Sequence, residues 1–300
     1  MNSLQETRTY LPTQYTGFLA NYARNSQIAT HSVISHFSNF ISEHGVSLQT
    51  LTQDHINIYL NRMRNSGITP NSYNQRVSLL ASFLKRFSKP FLLKRLKTKK
   101  YNTMAMINED TLKSILSYIK DRINNSGVKS TKYLRDYVLF QFSFITGLRK
   151  SEVLNARHSQ FKMNGNNWQY RLMAKGSIEI VKIIPNYLMK LIHQLKIAED
   201  KDQESYVFTS KKGSDDKPLT ARSYNYLMEA YIRYIDGKQV PTIHSIRNLS
   251  ALKVYQSTGC ILETKAHLNH YSLNTTQIYL EKLTKKEPKY HDVLVDMVRG

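Results

Sequence analysis

From Tyr15 to Phe87 the apolar residues recur at intervals of three and four, and this period leaves a helix as the economical way to gather them on one face. Tyr15, Phe18, Leu19 and Tyr22 make one such set. Val33, Phe37, Phe40 and Ile41 make a second, stopped by Gly45. Thr52 is placed to cap a third helix carrying Ile56, Tyr59, Leu60 and Met63, with Gly67 at its end. Thr69-Pro70 opens a fourth, because proline is tolerated at the first helical position, and its stripe is Tyr73, Val77, Leu80, Leu84 and Phe87. These residues predict a small helical bundle.

Beyond it, Asn108 predicts a cap before Leu112, Ile115, Leu116 and Ile119, and an aromatic-rich helix is expected from about 132 to 145. "WQYRLM" and "IEIVKIIP" read as two strands joined by the turn "AKGS". Helices are predicted again at about 186–197, 220–235, 244–257, 261–267 and 274–281, and a tail helix at about 287–299 carries Tyr290, Val293, Leu294 and Met297. The expected fold class is mainly α with a small antiparallel β-sheet in the C-terminal domain. Three hundred residues suit about two domains. We place a helical domain at residues 1–95, a basic and polar linker at 96–107 and a second domain at 108–300.

Charge narrows the partners. The chain carries a formal +21, and thirteen Lys and Arg against Glu6, Glu43 and Asp54 put about half of that surplus in its first hundred residues. Self-repulsion on this scale points to a polyanion, nucleic acid first. The run Lys94, Arg95, Lys97, Lys99 and Lys100 suits phosphates, and the fourth helix offers Asn71, Asn74, Gln75 and Arg76 toward bases. A single cysteine, Cys260, excludes an intramolecular disulfide and a thiolate metal cluster, which fits a reducing cytoplasm. The longest apolar run, "YVLFQFSFITGL", is interrupted by Gln141 and falls short of the ~20 residues of a membrane span; the N-terminus shows no signal pattern. No membrane, metal or cofactor is expected.

Three short motifs carry chemistry. In "TGLRKSEVL" a glycine ends an apolar helix and sets Arg149 on a corner, where a planar guanidinium binds phosphate better than an ammonium would. Taken alone, Arg149 reads better as an ordinary surface arginine or a partner of Glu152. "HSIR" puts His244 and Arg247 on one helix face. "LNHYSLNTTQIY" places His270 nine residues before Tyr279.

In this order the three motifs resemble the arginine, His-x-x-Arg and "LGH…TT..Y" boxes of the tyrosine recombinases, the family of phage integrases and Xer-type recombinases. The resemblance implies a two-domain, C-shaped DNA clamp with a SAM-like core-binding domain. It implies that Arg149 and Arg247 clamp the scissile phosphate, that His244 and His270 complete the cage, and that Tyr279 is the nucleophile. Lys175, in the "AKGS" turn, matches the family's lysine that protonates the leaving 5′ oxygen, and Glu152 matches the acid that buttresses the first arginine. The implied reaction is site-specific recombination of double-stranded DNA through a 3′-phosphotyrosyl intermediate, by a homotetramer on two duplexes or a heterotetramer with a related recombinase. Its usual setting is a mobile genetic element or chromosome resolution.

The chain departs from the pattern where Asn269 replaces the glycine before the histidine and where Asn248 follows Arg247. His267 is the alternative to His270 for the same role. Two other readings keep part of the likeness: a type IB topoisomerase-like nicking and resealing enzyme, and a non-catalytic DNA-binding accessory protein.

Overall fold

Helix boundaries in the first hundred residues fall where capping chemistry puts them. In the computed structural model, α1 spans Thr16–Ala20, α2 Arg24–Glu43, α3 Gln53–Asn65 and α4 Pro70–Phe87. Thr52 and Thr69 adopt extended backbone, and each hydroxyl accepts an N–H from the first turn of its helix, that of His55 and Ser72 respectively. Gly45 and Gly67 follow α2 and α3 at φ of +61° and +76°, a region that costs other residues a clash at Cβ. The bundle core is aromatic: Phe37 and Phe40 of α2 pack on Tyr59 of α3, and Phe18 packs edge-on against Phe83.

The structure describes residues 16–20, 22, 24–88, 90–98, 107–125, 127, 130–174, 178–210, 217–235, 244–270, 272–273, 276–277 and 280, without the side chains of residues 16, 24, 25, 174, 244 and 245. Two compact units divide the chain, Met1–Lys100 and Tyr101–Gly300. Residues 91–98 run beside the bundle, and the described start of the expected linker, 96–98, continues that segment. Gln53 accepts the backbone N–H of Leu92 and donates to its carbonyl, both at 2.9 Å, and Asn74 does the same to Leu96 at 2.8 and 2.9 Å. Two side-chain amides thus hold an extended segment to α3 and α4 as a neighbouring strand would, and Phe91, Leu93 and Leu96 pack on the bundle core. Leu96 belongs to the first unit.

In the second unit the helices are α5 (Glu109–Asn125), α6 (Ser130–Thr146), α7 (Lys150–Leu154), α8 (Asn186–Ala198), α9 (Ala221–Ile235), α10 (His244–Thr258) and α11 (Ile261–Leu268). Asn108 caps α5 by accepting the Thr111 N–H at 2.7 Å. Val138, Leu139, Phe140 and Phe142 are all fully buried, and Gln141 and Ser143 between and beside them are buried too, so α6 runs through the core. Buried Arg135 and Asp136 anchor it: Arg135 also donates to the Thr209 carbonyl, and Tyr231 of α9 donates to Asp136. Strands β1 (Phe161–Asn164), β2 (Asn167–Ala174) and β3 (Ile178–Ile184) form an antiparallel sheet in the order β1-β2-β3. The sequence reading missed β1. On β3 the inward face is Ile180, Lys182 and Ile184. Among the described residues no helix is long and apolar enough to cross a membrane. Residues 273, 276, 277 and 280 are helical, and the expected tail helix at 287–299 lies outside the described residues.

Candidate active site

Because α6 is packed on every side, its C-terminal end is a fixed point, and the chain leaves it through Gly147 at φ +58°. A Cβ there would stand 2.5 Å from His267 Nε2, so glycine is required by the neighbour as well as by the turn. Two residues on, Arg149 precedes α7. Glu152 accepts both the Arg149 backbone N–H at 2.7 Å and its Nη1 at 3.0 Å. The carboxylate is mostly covered while the guanidinium is 44% exposed, so Glu152 fixes one edge of a fork whose remainder faces outward.

Arg247 lies in the first turn of α10 and is buried. Its Nη1 donates to the Gly147 carbonyl, and its Nη2 to the Leu268 carbonyl at 2.7 Å. Carbonyls at the ends of helices carry the negative pole of the peptide dipoles, which suits a cation held away from water. One guanidinium therefore ties the exit of α6 to the exit of α11.

His270 follows that exit and is buried. Its Nδ1 lies 2.9 Å from the hydroxyl of fully buried Thr276, which orients the ring. Burial, and then the charges of Arg247 and Arg149, lower its pKa from 6.5 to about 4. His267 points elsewhere: its Nε2 is 2.7 Å from Ser250 of α10, and burial with Lys182 and Arg247 lowers its pKa to about 4. It wedges α10 against the Gly147 corner, so the described contacts give it a packing task.

Lys182 reaches this cluster from β3. Its Nζ donates to the His267 carbonyl, and burial, then Arg247, lower its pKa to about 8 against the opposing pull of Glu152. Four elements thus deliver Arg149, Lys182, Arg247, His267 and His270 to one place, where neighbouring cations lower the pKa of Lys182 and of both histidines, with Glu152 as a counter-charge. Such a site favours an anion that can accept from several donors.

The two histidines make stability depend on pH. For a base whose folded pKa lies below its unfolded value, the unfolded chain binds more protons in between; stability is complete above about 6.5 and is lost as pH falls toward 4. A loss of about 3 kcal/mol between pH 7 and 4.5 is expected from both rings together after discounting for relaxation. Urea midpoints across that window measure it, and a flat profile would contradict two neutral, desolvated rings.

Of the remaining expected site residues, Lys175 and Tyr279 lie outside the described residues, and His244 begins α10 with its side chain undescribed. In the first unit, Lys94, Arg95 and Lys97 are exposed, whereas Lys99 and Lys100 lie outside the described residues. Arg95 donates to the Ser78 hydroxyl at 3.0 Å. Gln75 is exposed on α4, and Arg76 lines a cleft with Arg62, His36 and Tyr59. Asn74 holds the Leu96 backbone through both its amide nitrogen and its amide oxygen, a structural pin within the first unit. Sequence reasoning missed Lys182. Alternation along "IEIVKIIP" puts Lys182 in phase with Ile180 and Ile184, which is the signal that could have marked it as inward.

Residues 91–286 match the phage integrase family, and residues 13–87 match the phage integrase N-terminal SAM-like domain. The chain is 23% identical over 282 residues to the tyrosine recombinase XerC of Bacillus pumilus, covering 89% of this chain and 88% of the relative. It is similar in fold to XerH site-specific recombinase bound to a palindromic difH substrate, with a TM-score of 0.71, 18% identity, and 96% and 85% of the two chains covered. A lambda integrase dimer bound to a COC′ core site matches with a TM-score of 0.61 and 16% identity, covering 92% and 96%.

Proposed function

The chain belongs to the phage integrase family, and on that premise we propose that it is a site-specific DNA recombinase that cleaves and rejoins strands through a 3′-phosphotyrosyl intermediate. The observation that carries the reading is the convergence of Arg149, Arg247 and His270, with Lys182 behind them, on one cationic site. The two guanidiniums donate to the non-bridging oxygens of the scissile phosphate, where charge grows as phosphorus becomes five-coordinate. His270, neutral near pH 7 and held by Thr276, adds a hydrogen bond without a further full charge.

In the proposed step the Tyr279 oxygen bonds to phosphorus and its proton passes to His244. The bond from phosphorus to the 5′ oxygen breaks, and Lys175 gives that oxygen a proton. The phosphoryl group stays esterified on tyrosine, so a 5′-hydroxyl of another strand can attack it and release the phenol without an outside energy source. The protein acts in the cytoplasm on double-stranded DNA. Binding falls steeply with salt, because lysines and arginines displace counterions from phosphates.

A DNA duplex nicked just beyond the cleavage point tests the reading, since the short fragment carrying the 5′-hydroxyl diffuses away and strands the intermediate. Wild-type protein is expected to accumulate a covalent adduct at the 3′ phosphate. Absence of any adduct on a panel of such substrates would leave a binding protein. Transfer of the held strand to a second duplex supports recombination, whereas resealing alone with relaxation of supercoils would indicate the topoisomerase-like reading.

The assembly we propose is a tetramer on two duplexes, coupled through the tail. A chain ending at Lys286 is expected to run as smaller complexes on gel filtration with DNA. Unchanged assembly would remove the tail from that role.

A further inference from the structure

We infer that Lys182 is a positioning residue for the recombinase reaction: with Asn269 it locks the left-handed turn that ends α11 and so sets the direction of His270. The inference rests on the recombinase reading for its link to activity, though not for its geometry.

An α-helix leaves its last four carbonyls without helical partners, and at the end of α11 each has a donor. The Lys265 carbonyl accepts from the His270 N–H, and the Ala266 carbonyl from the Asn269 N–H, both at 3.1 Å. These two bonds form the Schellman pattern, whose pivot is a left-handed residue, usually glycine. The His267 carbonyl accepts from Lys182 Nζ, and the Leu268 carbonyl from Arg247 Nη2 at 2.7 Å. Backbone satisfies two of the four, and a side chain from another element satisfies each of the others.

The pivot here is Asn269, at φ 50° and ψ 48°. Asparagine tolerates this region better than most residues, but its Cβ still costs what glycine avoids. Its side chain is placed to hold the turn: the amide satisfies its neighbours when its oxygen is turned toward Lys182 Nζ and its nitrogen toward the Ala266 carbonyl, each then at 3.1 Å. Lys182 therefore grips both the last turn of the helix and the residue that reverses direction after it. Because it stands on the inward face of β3, paired with Tyr170 of β2, the grip is anchored in the sheet. His270 is the next residue, and its contact to Thr276 depends on that direction. The ammonium also sits at the negative end of the helix, which strengthens the hold.

Single-turnover cleavage of the nicked duplex tests this. Lys182→Met is expected to slow cleavage ~30-fold, as a displacement of under an ångström at a reacting centre does, with DNA affinity little changed. In an Asn269→Gly background the turn no longer needs the grip, so adding Lys182→Met there should slow cleavage by no more than ~3-fold relative to Asn269→Gly alone. An equal loss in both backgrounds would overturn the inference, because Lys182 would then act on DNA or on folding at large.

Should Lys182→Met fail to fold, Asn269→Ala leaves the lysine in place and removes the tie; ~10-fold slower cleavage is expected, and a wild-type rate would overturn the proposal. If the wild-type protein forms no adduct, the recombinase reading falls, yet the turn is still decided by NMR titration of His270. Its pKa should rise from about 4 toward 6.5 in Asn269→Ala, which changes no charge, and an unmoved pKa would refute the positioning role.

Discussion

Replacing Tyr279 by Phe is expected to lower covalent adduct formation by ~10⁴ or more while leaving DNA binding nearly unchanged. The substitution removes one oxygen and keeps the ring, so any packing by the ring persists and only the proposed nucleophile is lost. An ordinary phenol, with a pKa of about 10, is a poor nucleophile near pH 7. In the proposed step Arg149 and Arg247 lower the cost of its ionisation during attack by stabilising the charge that passes to the phosphate. The chain has 20 tyrosines, and what separates this one in the proposal is its place nine residues after His270. Adduct yields and binding isotherms on the same nicked duplex measure both halves of the expectation. An adduct that survives Tyr279→Phe would assign the nucleophile to another residue.

Arg247→Ala should have the second large effect, on rate and stability together. The guanidinium is buried and bonds the Gly147 and Leu268 carbonyls, so its removal strands two acceptors and opens a void between α6, α10 and α11. A stability loss of about 3 kcal/mol is expected from the uncompensated carbonyls and lost packing. Cleavage should fall ~10³-fold, the scale for losing a donor aimed at developing charge. Arg247→Lys separates the two effects: it keeps a positive charge, but a single ammonium cannot bridge two carbonyls and a phosphate in the plane that a guanidinium spans. It is expected to recover most of the stability and little of the rate. The neighbours give an independent reading, since Arg247 helps depress Lys182, His267 and His270; in Arg247→Ala all three should titrate closer to their ordinary values. Wild-type cleavage by Arg247→Lys would show that charge alone, not the fork, is needed.

Much of the local structure was legible in the residues. Thr52, Thr69 and Asn108 marked helix starts, because a hydroxyl or amide beside an unpaired N–H acts within one turn of its own position. Gly45 and Gly67 marked ends for the same local reason. Strand β1 was missed because four residues carry little periodicity; the Asn164-Gly165 pair leading into its hairpin was the available signal. Local composition set the start of the linker at 96, and it says nothing of Asn74, which grips the Leu96 backbone from 22 residues away.

The sequence by itself determined which residue types are available for the chemistry and the order of the three motifs that carry them, since motif spacing and helical period are properties of neighbours along the chain. Only the tertiary structure decided how they meet. It put Glu152 on Arg149, turned His267 toward packing and His270 toward Thr276, and brought Lys182 from a strand to the end of a helix 85 residues away. Such contacts follow from where buried elements come to rest, and a buried cation or carbonyl takes whichever partner the packing leaves within reach.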